Sequence, residues 1–181
     1  MTEERKFQFD KAYMQMAESM ASLSYAERRK VGCIIVSPDG QLISQGFNGT
    51  PSGCDNCCEN KIYEYEPDEN CPYIGRGACN RPTCEGCEHR IESGYTLVTK
   101  PEVLHAETNA ITKCAKWMAS TENATLYVTL SPCLDCSKLI IQAGIKRVVF
   151  KEKYRDTTGI DLLKRIGIQV QQIDNDKLIE Q

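Results

Sequence analysis

The sequence predicts an α/β protein: three layers, α/β/α, around a mixed sheet of about five strands. Two observations carry that expectation. Early in the chain, Val31–Val36 and Gln41–Gly46 flank Ser37-Pro38-Asp39-Gly40, the pattern of a β-hairpin. From Thr125 onward, short apolar strands alternate with helical segments, which implies a sheet covered by helices on both faces. A length of 181 residues suits one such domain with a sizeable core and one large insertion.

Each element has its own signal. Residues 7–23 carry Phe9, Tyr13, Met16, Met20 and Leu23 at helical spacing, opposite Lys11, Gln15, Glu18 and Ser22. This predicts an amphipathic first helix with those apolar residues turned to the core. Residues 106–118 read as a helix presenting Ala106, Ala110, Cys114, Trp117 and Met118 on one face. Thr125–Leu130 reads as a buried strand. Ser131 and Pro132 then suit the N-cap and first position of a helix that closes at Ala143-Gly144. Arg147–Phe150 predicts a strand, 158–166 a helix and Ile168–Ile173 the last strand.

Between 54 and 104 periodicity fades, and acidic residues outnumber basic ones ten to five. A structureless loop of that length is improbable inside a compact domain unless something orders it. Seven of the eleven cysteines fall between Cys54 and Cys87. The expected organisation is therefore a single domain, 1–181, containing a cysteine-rich, zinc-ordered insertion, 54–104. Cys84 and Cys87 have ligand spacing, and a closed tetrahedral site needs two more donors. Cys57 and Cys79 complete it in this reading, with Cys58, Cys71 and His89 as rivals. Such a structural zinc would supply folding energy that the acidic segment lacks.

Composition narrows the function. A net charge of −3, a pI near 5.5 and 7% aromatic residues weigh against a nucleic-acid strand as substrate, though they leave room for a local basic patch. No apolar run approaches the roughly 20 residues of a membrane span. The charged start, Met1-Thr2-Glu3-Glu4-Arg5-Lys6, lacks the apolar core of a secretory signal. Cysteines in CxxC spacing without such a signal bind metal more often than they form disulfides.

Two motifs carry the chemistry: His105-Ala106-Glu107 and Pro132-Cys133-Leu134-Asp135-Cys136. Catalytic zinc takes three protein ligands and leaves a fourth position for water, whose proton the ion loosens. Cys133 and Cys136, three apart at a helix start, can face one point, and the helix N-terminus favours their thiolates. His105 would complete the set. Glu107 is not needed as a ligand. As general acid–base it would take a proton from water, pass it to a ring nitrogen, and then protonate a departing amine. A CxxC alone is often a structural zinc site or a redox pair, but that reading gives His105 no role. Together the motifs resemble the signature of zinc nucleobase deaminases, and it is this resemblance that implies the ring nitrogen and the departing amine in the role given to Glu107.

The wider sequence is more selective. Lys30–Val36, Gly46-Phe47-Asn48-Gly49-Thr50-Pro51-Ser52-Gly53, His105–Ile111 and Leu139–Lys146 resemble deoxycytidylate (dCMP) deaminases, especially the phage and bacterial branches, from about residue 8 to 173. The resemblance implies the cytidine-deaminase-like fold and hydrolysis of dCMP to dUMP and ammonia for thymidylate synthesis. It also implies a cytoplasmic homohexamer (in the host cytoplasm for a phage enzyme), activated by dCTP and inhibited by dTTP, with the triphosphate held by Mg²⁺. By position, Asn48 would contact the sugar and Tyr154 would close over the nucleotide. The phosphate calls for a cation, and Arg28 in the run Arg28-Arg29-Lys30 is the candidate. The stretch from Cys71 to His89 departs from compact members. Deamination of tRNA, single-stranded DNA or a free nucleoside is the competing reading. Phosphate dependence separates nucleotide from nucleoside, because a site built for a dianion loses a charge-assisted contact.

Overall fold

The computed structural model describes residues 2–65, 92–174 and 177–180. They fall into two compact units, Met1–Cys58 with Glu102–Gln181, and Glu59–Pro101.

The larger unit begins with α1 (Glu3–Ser22), whose N-cap Thr2 accepts a hydrogen bond from the Arg5 N–H. There follow β1 (Gly32–Val36) and β2 (Leu42–Phe47). The smaller unit contributes β3 (Glu59–Tyr65) and β4 (Glu92–Thr99). The larger unit resumes with α2 (Ala106–Lys116), β5 (Thr125–Leu130), α3 (Leu134–Gln142) and β6 (Arg147–Glu152). It ends with α4 (Thr158–Arg165), β7 (Gln169–Ile173) and β8 (Leu178–Glu180). Six strands form one sheet in the order β2-β1-β5-β6-β7-β8. The β5–β6 and β6–β7 pairs are parallel and the rest antiparallel, so the sheet is mixed as predicted. It has one strand more than expected, because the three residues of β8 are too few to show a period.

Side chains alternate across a strand, and that alternation makes the layers. Cys33, Ile35, Leu126, Val128, Val148 and Phe150 face a core shared with Ala110 of α2, Ile140 of α3 and Leu163 of α4. Their neighbours Ile34, Val36, Tyr127 and Val149 face the opposite way, against Met14 and Ala17 of α1. One helix thus covers one face and three cover the other, giving the α/β/α architecture.

The inward face of α1 differs from the prediction. Asp10, Met14, Ala17 and Ala21 are buried, while Phe9, Met16 and Leu23 are 40%, 39% and 55% exposed. Tyr13 and Met20 of the predicted face still pack against this core, but its buried centre lies one residue on, a rotation of about 100°. The cause is close approach: a side chain at Gly32 would collide with the backbone of Ala17 and Ala21, so only small residues fit there. Asp10 can be buried because Arg147 meets both its oxygens, at 2.7 and 2.8 Å, and the Tyr127 hydroxyl donates to it at 2.5 Å.

Two helix ends also depart from the prediction. α2 stops at Lys116 and Met118 has φ +54°, so Trp117 and Met118 leave the core and are 73% and 94% exposed. The N-cap of α3 is Cys133, not Ser131, and Pro132 lies outside the helix. At its far end Gly144, with φ +74°, follows the C-cap as expected.

In the smaller unit, β3 and β4 pair antiparallel, with Glu59 opposite Thr99 and Tyr63 opposite Tyr95. The Lys61 ammonium lies 4.6 Å from the centre of the Tyr95 ring. Neither strand was anticipated in this segment. Cys71, Cys79, Cys84, Cys87 and His89 lie outside the described residues.

Candidate active site

Helices α2 and α3 each begin at a residue of the two motifs: His105 is the N-cap of one and Cys133 of the other. Main-chain bonds between Gly49 and Leu104, 3.1 and 2.9 Å, seat the start of α2 beside the turn that follows β2. Gly46 lets that strand approach, since any side chain there would strike the backbone of Ala106 and Ala110.

This arrangement brings three donors together. His105 Nδ1 lies 3.5 Å from Cys133 Sγ and 3.3 Å from Cys136 Sγ, and all three ligand atoms fall within 4.8 Å of one another. A tetrahedral zinc with Zn–S of about 2.3 Å and Zn–N of about 2.0–2.1 Å separates N from S by about 3.6 Å. The donors therefore fit zinc in type and in spacing. Cys136 is buried, Cys133 half-buried and His105 exposed, so the cluster is open on one side, as a catalytic zinc site requires.

The charges of these groups are linked. Hydrogen bonds with Cys136 and then His105 bring the Cys133 thiol down to about 4. The bond with Cys133, followed by burial, pushes the Cys136 thiol up, and the bond with Cys133 also raises His105. The Thr108 hydroxyl lies 3.8 Å from Cys136 Sγ. Glu107 is only 4% exposed, and burial pushes its carboxyl up to about 6 against the opposing pull of its own backbone and of His105. Behind it, burial and then the Glu107 charge keep the Cys33 thiol neutral.

The other predicted residues lie on loops of the chain, and of these Tyr154 is tied to the turn that carries Cys133. Asn48 Oδ1 accepts from the Val31 N–H at 2.7 Å and its Nδ2 donates to Arg29 O at 2.8 Å. The Ser24 hydroxyl donates to Asn48 O at 2.7 Å. Asn48 thereby ties the turn after β2 to the loop carrying Arg28, which is exposed. Neighbouring Arg29 forms an ion pair with Glu152. Tyr154, half-buried just past β6, donates its N–H to Ser131 Oγ at 2.8 Å. Cys57 is exposed, and its three proposed companions lie outside the described residues. Two residues escaped the sequence reading. Asn109, one turn beyond His105, donates to Phe47 O at 2.9 Å and so pins β2 to α2. Its only signal was its place in the His105–Ile111 motif. Ser131 fits a helix N-cap by local rules, but its hydroxyl accepts from the Tyr154 N–H instead.

Residues 7–152 match the cytidine and deoxycytidylate deaminase zinc-binding region. The chain belongs to this family. It is 36% identical over 173 residues to the deoxycytidylate deaminase of Enterobacteria phage T4, spanning 87% of this chain and 86% of that one. It is 34% identical over 165 residues to the Saccharomyces cerevisiae deoxycytidylate deaminase, spanning 91% of this chain and 44% of that longer one. The crystal structure of the dCMP deaminase from cyanophage S-TIM5, in complex with dCMP and dUMP, superposes with a TM-score of 0.69 at 38% identity. That match covers 96% of this chain and 99% of the cyanophage chain. As a deaminase of this family, the chain is a hydrolytic enzyme. Among the described residues, no helix is long and apolar enough to cross a membrane.

Proposed function

We propose that this deaminase converts dCMP to dUMP and ammonia, supplying dUMP for thymidylate synthesis. The observation that carries the chemistry is the buried Glu107, two residues past a histidine whose Nδ1 faces two thiols at zinc spacing. The choice of substrate is supported by the phage relatives and by the cyanophage enzyme crystallised with dCMP and dUMP.

His105 Nδ1, Cys133 Sγ and Cys136 Sγ would hold the zinc, which when bound supplies Lewis-acid activation of water. Glu107 handles the protons. Burial disfavours its charged form, so its carboxylate readily takes a proton from the attacking water. It passes that proton to N3 of the cytosine ring, and the next to the departing amine. A carboxyl titrating near 6 can serve as base and acid in turn close to neutral pH. The N-terminus of α3 favours the thiolates of Cys133 and Cys136.

Asn48, Tyr154 and Arg28 are assigned to the sugar, the nucleotide's outer face and the phosphate. Asn48 keeps one N–H and one lone pair beyond its bonds to Arg29 and Val31, enough to meet a sugar hydroxyl. Because it joins two loops, sugar and phosphate contacts would move as one piece. The resemblance to dCMP deaminases further supports activation by dCTP, inhibition by dTTP with Mg²⁺, and a homohexamer. The spacing of Cys84 and Cys87 supports a second, structural zinc ordering an insertion, 54–104, within one deaminase domain. The unbridged, buried thiols of Cys33 and Cys114 suit a reducing cytoplasm.

An ammonia-release assay across dCMP, dCTP, deoxycytidine and cytidine monophosphate, with and without dCTP or dTTP and Mg²⁺, tests this function. Turnover is expected with dCMP and is expected to respond to the triphosphates. Turnover of an oligonucleotide but not of dCMP would overturn the proposal.

A further inference from the structure

Ser131 ends β5 with 3% of its surface exposed, two residues before Cys133. β5 and β6 run parallel, and their last paired residues are Leu130 and Glu152. The last main-chain bond of that pairing runs from the Ser131 N–H to Glu152 O at 2.8 Å. In a regular parallel ladder the following bond would run from the Tyr154 N–H to the Ser131 carbonyl. Here that N–H goes to the Ser131 hydroxyl, 2.8 Å away. Pro132 has no N–H with which to extend the strand, and the chain turns into α3. A side-chain oxygen has therefore taken over from a main-chain oxygen where both strands leave the sheet.

The far end of the segment is fixed to the same turn. Gly159 of α4 lies so close that a side chain there would collide with Pro132 O, the Cys133 carbonyl carbon and Ser137 Oγ. Residues 154–159 are thus gripped at both ends by residues 131–137, the stretch that carries Cys133 and Cys136. We propose that Ser131 is a positioning residue whose hydroxyl sets where Tyr154 leaves the sheet relative to Cys133, and thereby how tightly the nucleotide is held. The consequence for binding rests on the assignment of Tyr154 to the nucleotide; the anchoring does not.

The test uses zinc-loaded full-length protein with Ser131→Ala, Ser131→Thr, Tyr154→Ala and the Ser131→Ala/Tyr154→Ala pair. In Ser131→Ala the Tyr154 amide should exchange with solvent at least about tenfold faster than in the parent. KM for dCMP should rise about fivefold to twentyfold, the effect of one lost hydrogen bond, with a smaller change in kcat. Ser131→Thr, which keeps the oxygen, should restore both. Because Ser131 acts through Tyr154, its loss should add nothing to KM once Tyr154 is alanine. Unchanged amide exchange in Ser131→Ala would overturn the proposal, as would a KM effect that persists in full in the double variant. Faster exchange at Tyr154 in an enzyme inert toward dCMP would uphold the anchor and overturn the substrate assignment instead.

Discussion

His105 Nδ1 and Cys136 Sγ approach to 3.3 Å across 31 positions of sequence, and the ends of three elements bring them there. β5 delivers Pro132 to the start of α3, while the bonds between Gly49 and Leu104 deliver His105 to the start of α2. Helix N-termini suit the purpose, since their free N–H groups favour the thiolates that zinc requires. Cys136→Ala should therefore lose one zinc per chain, measured by elemental analysis, together with all detectable dCMP turnover. Full zinc content in that variant would place the metal elsewhere.

The cysteine-rich segment makes a separate demand on metal content. The parent protein should carry two zinc ions per chain, and Cys84→Ser should retain only the catalytic one. A parent content of one, unchanged by Cys84→Ser, would remove the structural zinc from the account.

Asp10 and Arg147 should dominate the stability of the α1 layer. Their side chains are 2% and 12% exposed, and removing one partner leaves the other charge buried and uncompensated. Asp10→Ala should lower the unfolding free energy by about 3–5 kcal/mol in urea titration. The Asp10→Leu/Arg147→Met pair should lose less. A loss under about 1 kcal/mol for the single variant would show that the pair is not a structural anchor.

Tyr127 should make the fold sensitive to alkali. Burial, and then its hydrogen bond to Asp10, hold the phenol above the usual tyrosine range. The unfolded chain releases this proton near pH 10 while the folded chain keeps it. Its contribution is therefore complete below about pH 10 and is lost above it, by up to about 1.4 kcal/mol per pH unit. Tyr127→Phe should show a shallower fall in stability above that pH. Equal slopes would contradict the assignment.

How much of this was legible in the sequence varied with the physics involved. Short continuous apolar runs announced β1, β5 and β6 because helices cover the sheet on both faces, and the Ser37-Pro38-Asp39-Gly40 turn announced β2. The cluster of His105, Cys133 and Cys136 was legible because its residue types and spacing are those a metal would impose, wherever the elements lie. The face of α1 was not: apolar periodicity points to large side chains, whereas contact with β1 selects Ala17 and Ala21, and Arg147 and Tyr127, far along the chain, make a buried Asp10 tolerable. Ser131 matched a helix N-cap by local rules, yet a tertiary partner, the Tyr154 N–H, claims its hydroxyl. β3 and β4 were not legible because Glu59-Asn60-Lys61 and Glu92-Ser93-Gly94, which open them, carry no apolar side chain.

Glu107→Gln offers the most direct test of the catalytic claim, because it keeps the size of a buried side chain and removes its acid–base function. Zinc content and unfolding midpoint should match the parent, while kcat on dCMP falls by about a hundredfold to ten-thousandfold. Parent-like turnover by the zinc-loaded variant would contradict the role assigned to Glu107.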